Sequence, residues 1–67
     1  MSISKATALV RSCIIMEAID VVNAANQLHL IKDEKAEELN CRYTMTLFDD
    51  VFPRIYGQEA VDKALGK

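Results

Sequence analysis

From Ser4 to Ile31 the chain runs for about 28 residues without glycine or proline, and apolar residues return every three or four positions throughout. The regular solution for such a run is one long helix, predicted here over about residues 4–30. At 100° per residue, Ile14, Ala18, Val21, Ala25 and Leu28 share one stripe, widened by Val10, Ile15, Val22 and Ala24. The stripe advances by four and three, the seam spacing of packed helices, and its alanines permit close backbone approach. It is read as the face that receives a second helix. The other side starts apolar with Leu9 and Met16 and turns polar at Asp20, Asn23 and Gln27. Leu9 and Met16 are either isolated exposed side chains, which are ordinary, or a second contact surface.

A helix of that length spans about 42 Å, more than the rest of the chain can cover. Of the 67 residues 51% are hydrophobic, yet a chain this short buries only about 60% of its unfolded surface. Both points favour a homodimer, with Leu9, Ile14, Met16, Val21 and Leu28 as its interface.

Ser2 and Ser4 both suit the helix N-cap. Beyond Leu28, the segment His29-Leu30-Ile31-Lys32 has no glycine for a left-handed cap, but Asp33 is a good N-cap with Glu34 following it. A break at 30–32 then lets a second helix, about 33–50, return antiparallel to the first. The alternative is a continuous helix whose second half packs on another chain.

The second helix carries two apolar stripes. Ala36, Leu39, Tyr43 and Leu47 form one, suited to the first helix. Cys41, Met45, Phe48 and Phe52 form another on nearly the opposite side, separated from it by Glu37, Glu38, Thr44 and Asp49. A two-helix hairpin buries one stripe per helix, so the second must meet a third helix, another subunit or a foreign protein. Pro53 predicts that the helix ends or kinks by Phe52. Asp49 and Asp50 would then stand unfavourably near a helix C-terminus. The conflict eases if Asp50 caps a new turn holding Pro53, the account favoured here, or if an outside cation meets the acidic pair. A short helix over about 57–65 follows, with Ala60, Val61, Ala64 and Leu65 apolar and Gly66 ending it. The fold class is all-α: a long helix and a second helix in an antiparallel hairpin, plus a short C-terminal helix, closing into a dimeric bundle of one domain over residues 1–67.

Net charge is −2 and the eight Lys and Arg are spread singly, which leaves no basic footprint for nucleic acid. Glu17 and Asp20 interrupt the best membrane-span candidate, short of the roughly 18 apolar residues a span requires. The N-terminal pattern does not read as a cleaved signal, and a cytoplasmic location follows as the default. In a hairpin Cys13 and Cys41 lie about 13 Å apart along the helices, beyond the roughly 7 Å a disulfide spans. Both are read as reduced, with Cys13 in or near the core.

No metal site or cofactor is expected, because two cysteines and one histidine are too few for structural zinc. Nor is catalysis. His29 has no carboxylate beside it on the helix, Glu17 and Asp20 have a spacing any solvated helix shows, and Asn26 stands where a di-metal Glu-x-x-His motif needs Glu. The remaining expectation is a small interaction protein that binds and modulates another protein through Met45, Phe48 and Phe52, with Arg42, Tyr43, Asp49 and Asp50 at the rim. The alternatives are a dimeric DNA-binding regulator, which the exposed Glu37, Glu38 and Asp49 disfavour, and a purely self-assembling structural protein.

Overall fold

A computed structural model describes residues 4–67. They are all-α: α1 (Lys5–Gln27), α2 (Asp33–Thr46), a π-helical turn (Leu47–Val51), α3 (Phe52–Tyr56) and α4 (Gln58–Ala64). Ser4 caps α1, its Oγ accepting from the Thr7 N–H at 3.1 Å; the alternative cap, Ser2, lies outside the described residues. Among those residues, no helix is long and apolar enough to cross a membrane.

The α1 face that packs is not the one its apolar periodicity singles out. Ala8, Ser12 and Val22 are buried, with Ile15 and Ile19 partly so. Ile14, Val21 and Leu28 are 60%, 67% and 69% exposed, and Val10 is 59% exposed. The packed face lies roughly a third of a turn from the expected stripe. Steric fit explains the choice. The small side chain of Ala8 lets Leu47, Val51 and Ile55 close over it, and Ile15 and Ile19 pack beside them. Ser12 is buried without leaving its hydroxyl unpaired, because its Oγ donates to the Leu9 carbonyl at 2.8 Å. Cys13, expected in or near the core, is exposed, as is Cys41, and both are free thiols.

α1 ends three residues earlier than predicted. His29 takes the left-handed backbone (φ 59°) that the absence of glycine argued against. Its N–H bonds to the Asn26 carbonyl and that of Leu30 to the Ala25 carbonyl, at 3.0 and 2.9 Å. This is a Schellman cap with histidine at the glycine position. Lys32, one residue before the expected Asp33, is the N-cap of α2, while the Asp33 carboxylate accepts from Asn26 Nδ2 at 2.7 Å. Further along, Asn40 donates to Asn23 Oδ1 at 2.8 Å, and Arg11 pairs with Asp50 at 3.1 Å.

Pro53 does not end the second element. The backbone stays helical from Asp33 to Tyr56, with the Phe52 N–H reaching the Leu47 carbonyl five residues back. Proline lacks the N–H an α-helix needs and clashes with the carbonyl four residues earlier; one widened turn before it relieves both. Burial makes the same demand. Tyr43, Leu47, Val51 and Ile55 recur every fourth residue, a period longer than 3.6, so a regular helix would carry Ile55 away from α1. The extra residue in the π turn keeps all four on one side. Asp50, expected to cap a new turn, makes no cap; Pro53 nevertheless falls in the first turn of α3.

Gly57 (φ 91°, ψ 150°) then turns the chain into α4 with a backbone that a side chain would strain. Val61 anchors α4 at 4% exposure.

Candidate functional site

Phe48, Phe52 and Tyr56 follow one another at four-residue intervals, and the π turn stacks them in a ladder along the second element. Phe48 meets Phe52 edge-on at 5.1 Å between ring centroids, and Phe52 meets Tyr56 tilted at 5.9 Å. Opposite the rings α4 presents Ala60, Val61 and Ala64. Three large rings facing small side chains leave an almost wholly apolar groove of about 300 Å³. Phe52 also packs on the core, whereas Tyr56 is 66% exposed. The groove therefore has a core-packed floor and an accessible wall.

The residues predicted to bind a partner divide between two places. Phe48 and Phe52 line the groove. Arg42, Met45, Asp49 and Asp50 surround a separate, shallow depression with Thr46. There Met45 is 57% exposed, with its sulfur 4.0 Å from Cys41 Sγ. Arg42 is drawn off by Glu38 at 3.1 Å, the i, i+4 pair. Tyr43 joins neither group and is half-buried on the stripe of Ala36 and Leu47. Tyr56, Ala60, Val61 and Ala64 belong to the groove but not to the predicted set. The signal for Tyr56 lies in the four-residue spacing of the aromatics, which the break expected at Pro53 masks.

Asp50 sits between two arginines, Arg54 Nε at 3.0 Å from Oδ1 and Arg11 Nη1 at 3.1 Å from Oδ2. The hydrogen bond from Arg54 is the main reason its carboxyl titrates below the usual range, and Arg11 reinforces it against partial desolvation. Asp50 thus ties α1 to the π turn, and its counter-charges are the chain's own Arg11 and Arg54 where an outside cation was the alternative expectation. Asp49 points to solvent.

The residues predicted for a dimer interface form two lines on α1. Ile14, Val21 and Leu28 stand on one, exposed, and Leu9 and Met16, 45% and 55% exposed, on another roughly a third of a turn away.

No protein-family model, curated protein or solved structure matches the chain.

Proposed function

We propose that this chain is a small non-enzymatic interaction module of the cytoplasm: an antiparallel helical hairpin with a short third helix, dimeric, that binds another protein and modulates it. The observation that carries the reading is the aromatic groove, an apolar surface with a core-anchored floor that the chain's own packing leaves open. Its chemistry suits one or two apolar side chains from an amphipathic helix, the mode in which a partner's apolar face enters a hydrophobic groove. The exposed Glu34, Glu37 and Glu38 along α2 weigh against the DNA-binding alternative, since they repel phosphates.

The test is affinity capture of the tagged chain from a lysate of its host, with Tyr56→Glu and Ala60→Glu alongside. Both positions are exposed, so these changes alter the groove and spare the core. A protein recovered by the wild type and by neither variant identifies the partner, and a change in that protein's activity on adding the chain establishes modulation. Recovery of the same proteins by all three, or of none by the wild type, would sink the groove reading.

A further inference from the structure

The unpaired face of α1 has the arithmetic of a coiled-coil seam. Val10, Ile14, Glu17, Val21, Ala24 and Leu28 advance by alternating fours and threes, with β-branched Ile14 and Val21 seven apart. Val10, Ile14, Val21 and Leu28 are each 59% exposed or more, and α2 occupies another side of the helix.

The molecule also has too much surface for its mass. A folded monomer of 7.5 kDa should expose about 4,250 Å², but this chain exposes 5,154 Å². The excess, about 900 Å², is close to the roughly 800 Å² that one partner contributes to a standard interface. Shape agrees. The radius of gyration is 13.6 Å, against about 11 Å for a compact chain of this length, and the molecule is a plank of 38 × 26 × 17 Å.

The one polar layer of the seam selects the direction of a second copy. A parallel copy sets Glu17 against Glu17 in the same layer, whereas an antiparallel copy offsets the two glutamates along the helix axis. The antiparallel register that uses every apolar position pairs Val10 with Leu28, Ile14 with Ala24 and Glu17 with Val21.

We propose that a second copy of this chain docks antiparallel along the Val10–Leu28 face of α1, leaving the aromatic groove free on each protomer. The proposal rests on the dimeric part of the functional reading and names its surface; the groove variants above read partner binding, and those below read self-association, so the two fail separately. Glu17 is the weak layer of the seam.

Sedimentation equilibrium of the full chain across 1–100 µM, with circular dichroism on every sample, is the test. Wild type should have twice the chain mass. Val21→Glu should be monomeric with its helical signal retained, because Val21 is 67% exposed and has no part in the buried core. Glu17→Leu, which puts an apolar side chain into the weak layer, should lower the dimer dissociation constant at least about tenfold. A monomeric wild type, a dimer that survives Val21→Glu, or a dimer no tighter with Glu17→Leu overturns the proposal. If Val21→Glu unfolds, the Glu17→Leu result decides. Direction is read in a Cys13→Ser, Cys41→Ser background by oxidising Val10→Cys and Leu28→Cys chains. The mixture should cross-link and Val10→Cys alone should not; cross-linking of Val10→Cys with itself would mean a parallel or unrelated contact.

Discussion

His29 and Gly66 occupy the same position in two Schellman caps, with φ 59° and 79°. In the second, the N–H groups of Gly66 and Lys67 bond to the Lys63 and Asp62 carbonyls. Glycine meets this backbone without strain, whereas a residue with Cβ loses about 1 kcal/mol there. His29→Gly should therefore raise stability by about 0.5–1 kcal/mol, and Gly66→Ala should lower it by a similar amount, both read by chemical denaturation. Asp50 supports a second prediction at this scale. Because its carboxyl titrates lower folded than unfolded, its contribution is fully present above about pH 4 and is lost as pH falls through the lower folded value. Asp50→Asn should accordingly be less stable than wild type at pH 7, and the gap should narrow as pH falls below about 4. Thermal melts across that range give the comparison. A gap independent of pH would mean that the ion pairs with Arg11 and Arg54 do not cause it.

The second element owes its course to the π turn, which two causes can explain: Pro53, and the four-residue recurrence of Leu47, Val51 and Ile55. They predict different variants. If burial dominates, Pro53→Ala keeps the turn, and the midpoint of thermal unfolding moves by only a few degrees. Deleting Asp49 removes the extra residue and lets the turn close into regular α-helix, in which Tyr43, Leu47, Val51 and Ile55 recur at intervals of four, three and four and stay on one side. Val51 and Ile55, at 0% and 8% exposure, then keep their places in the core. Each buried side chain of this kind contributes about 1.5–3 kcal/mol, so the deletion should preserve cooperative unfolding in circular dichroism. A deletion variant that no longer melts cooperatively would show that the turn does more than absorb one surplus residue. The same recurrence was legible in the sequence through Phe48, Phe52 and Tyr56. Proline's local preference masks it, because only a widened turn satisfies a four-residue period.

For the whole molecule the governing fact is a small core. Val51 is the largest side chain buried completely, and the central cluster adds Ala8, Leu47 and Ile55. A core of this size gives little stability alone, and association along α1 would supplement it by mass action. The unfolding midpoint should therefore rise by several degrees between 5 and 200 µM wild type, and remain constant for Val21→Glu.

Local chemistry in the sequence determined the all-α class, the Ser4 cap, the Ala36–Leu47 stripe and the glycine turns around α4. Each depends on residues within a turn or two of one another, where hydrogen bonding and side-chain periodicity decide the outcome. The sequence also showed that the chain has more apolar stripes than one hairpin can bury. Only the tertiary structure decided which of them pack. On α1 the choice went to the side with Ala8, where Leu47, Val51 and Ile55 close over the small side chain and Ile15 and Ile19 pack beside them, and apolar periodicity carries no information about that fit. It likewise joined Phe48 and Phe52 to Tyr56 and α4 while separating them from Met45 and Asp49, since the groove exists only once the π turn has set the register of the rings.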